Sequence, residues 1–90
     1  MIVGGGLVGV ELAGEILDHY TDKKLIILNS KPQLIDRNPQ KAISYAEKYL
    51  RKRSVKLIYN EKLIQSKNNI FITDKNTKIQ ADICFLCIGI

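Results

Sequence analysis

Two stretches of the chain repeat their apolar residues with the period of a helix, and the remaining apolar residues fall in short runs. Segment 7–20 predicts a helix with one apolar face, formed by Val8, Leu12, Ala13, Ile16, Leu17 and Tyr20. Asn38 and Pro39 are typical of a helix start, with Asn38 as the N-cap and Pro39 as the first helical residue. The helix that follows is expected to bury Ala42, Ile43, Ala46 and Leu50.

The short apolar runs predict strands. Ile2 and Val3 and the runs 25–28 and 55–59 are continuous, as in parallel strands that are covered on both faces. Three further pieces are separated by polar breaks that suit turns between antiparallel neighbours: 62–65, 70–73 and 78–80. The run 83–88 is expected to return beside the first strand. We therefore predict an α/β, Rossmann-like three-layer fold, in which a parallel sheet carries two helices and a three-stranded antiparallel meander serves as a crossover.

Composition restricts the class of protein. Ninety residues allow one domain, and 46% hydrophobic residues are too many for a disordered chain. No apolar run approaches the ~20 residues that cross a bilayer, and no targeting signal is present, so we expect an intracellular protein, cytoplasmic or mitochondrial, without a transmembrane segment. The net charge of +5 comes from scattered lysines and arginines without interleaved aromatic residues, which argues against a nucleic acid partner.

Gly4, Gly6 and Gly9 stand in the order G-x-G-x-x-G between the first strand and the first helix. In such a turn the first glycine lets the chain leave the strand sharply, and the second lets backbone N–H groups approach a diphosphate. The third lets the helix pack close to the sheet. A chance match or a purely structural turn is the alternative, but the position between a strand and a helix favours a phosphate site on the helix N-terminus.

Polar residues at two further places are candidates for contacts to a dinucleotide. Glu11, on the first turn of the predicted helix, suits either the helix dipole or a bound cofactor. An acidic residue that binds the adenosine ribose is expected about 20 residues beyond the glycines, but Asn29, Ser30 and Lys31 stand there. Because a carboxylate would repel a 2′-phosphate and Lys31 could pair with one, we expect the site to accept NADPH as well as NADH. A solvated Lys31 is the alternative.

Cys84 and Cys87 form a C-x-x-C pair, a spacing found in redox and zinc sites. No second pair accompanies them, and the single histidine, His19, is remote in sequence. Residues three apart in a strand point to opposite faces, so the two sulfurs are not expected to meet. We predict two buried thiols and no metal site.

The sequence resembles the NAD(P)-binding domain of the pyridine nucleotide-disulfide oxidoreductase family over essentially its whole length. The glycine turn and the segment from Glu11 to Glu15 are similar to one family motif. Ala81 through Gly89 resembles the family's closing segment, an alanine-aspartate pair, an apolar strand and A-T-G, here with cysteine and isoleucine before the final glycine. The similarity is greatest to the branch of apoptosis-inducing-factor-like flavoproteins and type II NADH dehydrogenases.

This resemblance implies a set of cofactor-binding residues and a reaction. The implied residues are Gly4, Gly5, Gly6, Leu7, Val8, Gly9, Glu11, Asn29, Ser30, Lys31, Cys87, Ile88 and Gly89. None of them is expected to be catalytic. In the family, NAD(P)H passes hydride to bound FAD, which then reduces a quinone, a disulfide or another acceptor.

The family's NAD(P)-binding domain is inserted in an FAD-binding domain, whereas this chain has one glycine turn and a short first strand. We therefore expect residues 1–90 to be the NAD(P)-binding domain of a larger flavoprotein, with a truncated first strand and with the FAD-binding portion as its partner. The alternative is a stand-alone, non-catalytic NAD(P)-binding module.

Overall fold

Two helices, a parallel sheet and an antiparallel sheet build the molecule in three layers. A computed structural model describes residues 1–88. The elements in chain order are β1 (Ile2–Val3), α1 (Leu7–His19), β2 (Ile26–Asn29), α2 (Gln40–Lys52), β3 (Lys56–Tyr59), β4 (Leu63–Lys67), β5 (Ile70–Thr73), β6 (Lys78–Gln80) and β7 (Phe85–Leu86).

Four strands form the parallel sheet in the order β3-β2-β1-β7. Ile2 of β1 lies opposite Ile27 of β2 on one side and Phe85 of β7 on the other. Strands β4, β5 and β6 form an antiparallel sheet that leads the chain from β3 to β7. The predicted α/β fold with a meander as crossover is confirmed.

The two faces of the parallel sheet carry different partners, because successive side chains of a strand point to opposite faces. Ile2 and Ile27 face the helices. The helices contribute five buried side chains to this core: Ala13, Leu17, Ile43, Ala46 and Leu50. Val3 and Leu28 face the meander, where Ile79 belongs to a second buried cluster. The parallel sheet is thus covered by helices on one face and by the meander on the other.

Helix α1 is rotated relative to its predicted face. Its buried residues are Gly9, Ala13 and Leu17. Of the six predicted residues, Ala13 and Leu17 are buried, Leu12 and Ile16 pack partly buried against the same core, and Val8 and Tyr20 are exposed. The reason is a close approach of backbone to backbone: a Cβ on Gly9 would overlap the Gly4 carbonyl oxygen in the turn after β1. The small residues Gly9 and Ala13 therefore face the sheet.

Helix α2 begins at Gln40, one residue later than predicted. Pro39 occupies the N-cap position, and the Asn38 carboxamide donates a hydrogen bond to the Ile35 carbonyl (3.2 Å) instead of capping the helix. Ala42, predicted to be buried, is exposed. The other three predicted core residues of this helix are buried: Ile43, Ala46 and Leu50.

The last strand is shorter and more exposed than predicted. Only Phe85–Leu86 of the run 83–88 pairs in the sheet, and Leu86 is exposed because β7 lies at the sheet edge. Cys87 packs against the helical face and Cys84 against the meander face, so the two sulfurs lie on opposite faces as predicted. Both thiols are free and only half-buried, where we predicted buried ones.

Within residues 1–88, no helix has the length and apolar character needed to cross a membrane. The same part of the chain contains no group of three or more His, Cys, Asp or Glu side chains that could hold a metal ion.

Candidate functional site

A cleft of about 960 Å³ lies at the carboxyl ends of the parallel strands. Its walls are the segments that follow β1, β3 and β7 and the β2–α2 loop (residues 30–39). Open α/β sheets bind ligands at this edge. The volume falls at the upper end of the range of about 300–1,000 Å³ that is usual for ligand and cofactor sites.

Gly4 makes the sharp turn out of β1. Its φ of 116° lies in the region that favours glycine, and the position of a Cβ would be 2.5 Å from the Cys87 carbonyl oxygen. The Gly4 N–H still donates to the Leu28 carbonyl (2.8 Å), so the turn begins while the chain is bonded to β2. These contacts agree with the role predicted for the first glycine.

Gly6 is the N-cap of α1 and leaves an open space above the helix. Apart from its chain neighbours, no heavy atom lies within 4 Å of the position of a Gly6 Cβ, and no side chain caps the helix. The Val10 N–H donates to the Gly6 carbonyl (3.0 Å). The preceding amides, those of Leu7, Val8 and Gly9, have no helical acceptor. This end of α1 therefore has the form of an anion cradle.

Gly5 is held by the last residue of β2 and by the loop that follows it. The buried Asn29 accepts a hydrogen bond from the Gly5 N–H (3.3 Å) and donates one to the Gln33 carbonyl (2.9 Å). The Ile35 N–H donates to the Gly5 carbonyl (2.8 Å), and a methyl group of Leu34 lies 2.9 Å from the position of a Gly5 Cβ. The β2–α2 loop is thus clamped to the glycine turn.

The β2–α2 loop also places two cations at the cleft. Lys31 and Arg37 line it and are exposed, and no carboxylate of residues 1–88 lies within salt-bridge distance of either. Asp36, a further residue of the cleft wall, accepts a hydrogen bond from the Gln33 side chain (2.9 Å). Arg37 was not a sequence candidate, because its distance along the chain from the end of β2 matches no motif.

Glu61 connects the cleft to the meander. Its Oε1 accepts hydrogen bonds from the Thr77 and Thr73 hydroxyls (2.5 and 2.7 Å), and these bonds hold the pKa of the Glu61 carboxyl below its usual value. Thr73 is fully buried, and the Glu61 N–H donates to the Asn29 carbonyl (3.3 Å). Sequence reasoning missed this group, since its members are 12 and 16 residues apart and share no local pattern.

Nine of the residues implied by the resemblance line the cleft: Gly4, Gly5, Gly6, Leu7, Asn29, Ser30, Lys31, Cys87 and Ile88. Gly9 lies beneath the turn, while Val8 and Glu11 are exposed on α1 and do not line the cleft. Because α1 begins at Leu7, Glu11 falls in its second turn, not in the first turn as predicted. Gly89 lies outside the described residues.

The sequence of the chain is similar to those of known proteins. Ferroptosis suppressor protein 1 of Taeniopygia guttata is 32% identical over 100 residues, which cover 100% of this chain and 27% of that protein. Apoptosis-inducing factor homolog B of Dictyostelium discoideum is 30% identical over 116 residues, covering 100% of this chain and 30% of that protein. The chain therefore spans less than a third of the length of these relatives.

The fold is shared with solved structures. The ferredoxin reductase for the CYP199A2 system from Rhodopseudomonas palustris matches with a TM-score of 0.86, over 98% of this chain and 23% of that chain, at 14% identity. At such low identity the match shows the fold alone. At the level of sequence, the family model of pyridine nucleotide-disulphide oxidoreductases matches residues 1–90. The chain belongs to the pyridine nucleotide-disulphide oxidoreductase family.

Proposed function

We propose that residues 1–90 are the NAD(P)H-binding domain of an FAD-dependent oxidoreductase. In the complete protein the reaction is hydride transfer from NAD(P)H to flavin and onward to a quinone or another acceptor. The cofactors supply this redox chemistry, and the chain binds and orients the dinucleotide. The observation that carries the proposal is the open, uncapped N-terminus of α1 at Gly6, beside the cleft.

The residues present fit a dinucleotide diphosphate. The space over Gly6 is one that a Cβ would fill, and the free amides of Leu7 and Val8 stand at the positive end of the α1 dipole. These amides would hold the diphosphate oxygens. The family resemblance implies that Cys87 and Ile88 lie along the other side of the cofactor, and both line the cleft. Glu11 and Gly89 stay predictions from the family resemblance.

The site is proposed to accept both NADH and NADPH. The Ser30 hydroxyl can bind either form of the adenosine ribose, and Lys31 and Arg37 can pair with a 2′-phosphate. Similar dissociation constants for NADH and NADPH, measured by calorimetric titration, are expected. A preference for NADH of about a hundredfold would contradict this proposal.

A Gly6→Ala substitution tests the cradle. The Gly6 backbone is extended (φ −74°, ψ −173°), so alanine fits without backbone strain, and the melting temperature should fall only by the small cost of alanine in place of glycine at an N-cap. The new methyl group enters the space proposed for the diphosphate, and NADH affinity should fall by about tenfold or more. Gly14→Ala is the matched control, because its Cβ also meets open space but lies in the middle of α1. Unchanged NADH affinity in Gly6→Ala would contradict the cradle.

A second candidate is a stand-alone module that binds NAD(P) without catalysis. The glycine turn and the cleft that it needs both lie within the described residues. A flavin absorbance scan separates the two candidates: yellow protein that bleaches with NADH requires the oxidoreductase. We expect the 90-residue chain purified alone to be colourless and to bind NADH, and the complete flavoprotein to be yellow.

A further inference from the structure

Asn29 stands at the end of β2, where the dinucleotide motif predicts a carboxylate that binds the ribose, yet its side chain is turned into the protein. It is 5% exposed. Its Oδ1 accepts a hydrogen bond from the Gly5 N–H (3.3 Å), and its Nδ2 donates one to the Gln33 carbonyl (2.9 Å). Both polar ends of the carboxamide are thus occupied by backbone groups.

The chemistry of this position requires a carboxamide. A carboxamide both donates and accepts hydrogen bonds, whereas an ionised carboxylate only accepts them. An aspartate at Asn29 would keep the bond from the Gly5 N–H, but it would set a negative charge against the Gln33 carbonyl oxygen. The absence of the expected acid therefore has a physical reason within the folded chain.

Further contacts connect this clamp, formed by Asn29, Gly5 and Gln33, to the cleft. The Ile35 N–H donates to the Gly5 carbonyl (2.8 Å), and Ile35 adopts a φ of 38°, which is costly for a β-branched residue. The surrounding contacts must therefore hold the β2–α2 loop in this conformation. The same loop carries Lys31 and Arg37 to the cleft wall.

We propose that Asn29 is a positioning residue for dinucleotide binding. Its carboxamide holds the glycine turn and the β2–α2 loop in the arrangement that binds the cofactor, and it does not contact the adenosine ribose. This inference rests on the proposed function of the cleft as a dinucleotide site.

The test is the affinity of Asn29→Asp for NAD⁺ at about pH 5 and about pH 8. Burial and the facing Gln33 carbonyl favour the protonated form of the introduced carboxyl, whereas the Gly5 N–H favours the ionised form. The protonated form, which again donates to Gln33, is therefore more populated at the lower pH. We expect affinity near that of wild type at the lower pH and at least about fivefold weaker at the higher pH. A ribose contact predicts the opposite, with the ionised variant binding NAD⁺ more tightly than wild type at the higher pH.

Controls isolate this carboxyl from the other charged groups of the cleft, which are Lys31, Asp36, Arg37, Glu61 and Lys62. Wild type measured at both pH values accounts for their titration. Asn76→Asp makes the same chemical change on an exposed turn away from the cleft, and its affinity should follow that of wild type.

The outcomes separate the two proposals. Wild type that binds no NAD⁺ overturns the proposed function, and with it this inference. Wild type that binds, together with a variant that binds more tightly at the higher pH, overturns the role of Asn29 alone.

If the variant unfolds at the higher pH, NMR of wild type with bound NAD⁺ decides. The clamp predicts that the Asn29 Nδ2 protons exchange slowly and show no nuclear Overhauser effect to the ribose. Such an effect would refute it.

Discussion

At the scale of single residues, Gly6 and Gly9 have separable roles, ligand binding for one and folding for the other. A Cβ on Gly9 would overlap the Gly4 carbonyl oxygen, which is backbone and cannot move aside. Gly9→Ala should therefore lower the free energy of unfolding by about 1–3 kcal/mol, measured by urea denaturation. Gly14→Ala should instead gain up to about 1 kcal/mol, since its Cβ meets open space on a helix. A Gly9→Ala midpoint equal to that of wild type would contradict this packing.

The glycines could be predicted from sequence, because each role follows from the missing Cβ and from spacing within one turn. The orientation of Asn29 could not, since its partners are the backbone groups of Gly5 and Gln33, and the first of these comes from a distant turn. The burial of Thr73 was equally hidden, because its hydroxyl is satisfied by Glu61 from another strand connection. Local patterns identify backbone requirements, whereas long-range hydrogen bonds depend on the completed fold.

At the scale of elements, the meander and the position of the last strand beside β1 could be predicted, while the rotation of α1 about its axis could not. The polar break before β5 predicted the β4–β5 turn, and Asn68 and Asn69 form it with positive φ values (52° and 65°) that asparagine tolerates. Four of the six residues predicted for the buried face of α1 pack on the core, but the centre of that face lies about one residue from its predicted position, because large apolar side chains outweigh glycine in any periodicity. Contact at Gly9 sets the rotation of that helix.

Helix α2 is joined to β3 by a hydrogen bond from the Tyr59 hydroxyl to Glu47 Oε2 (3.0 Å). Burial, and then the hydrogen bond and charge of Glu47, raise the pKa of Tyr59 to about 12 from its ordinary 10.0. The protonated hydroxyl therefore contributes stability that is complete below about pH 10 and is lost as the pH rises through about 12. Between these values the melting temperature of wild type should fall more than that of Tyr59→Phe. Parallel curves for the two proteins would contradict this linkage.

At the scale of the whole molecule, the cleft depends on every layer of the fold. Its walls follow four parallel strands, and Glu61 ties one of them to the meander through Thr73 and Thr77. A chain of 90 residues buries a smaller fraction of its surface than larger domains do and has little surplus stability, so we expect a melt near or below about 60 °C. NAD⁺ at about 100 times its dissociation constant would add about 2.7 kcal/mol. Dinucleotide binding is therefore expected to contribute a large part of the free energy of unfolding of this domain.

At β7, the edge of the parallel sheet among residues 1–88, a strand that is paired on one side only carries exposed apolar side chains. Leu86, on this edge, is 69% exposed. Such edges pair with other chains, so the 90-residue chain should self-associate as its concentration rises. Leu86→Lys should reduce this association in sedimentation velocity runs without lowering the melting temperature, because the side chain is mostly outside the core. Tyr45→Lys, at a 74% exposed position on α2, is the control and should associate like wild type. Equal reduction by both variants would attribute the association to general surface hydrophobicity and not to the β7 edge.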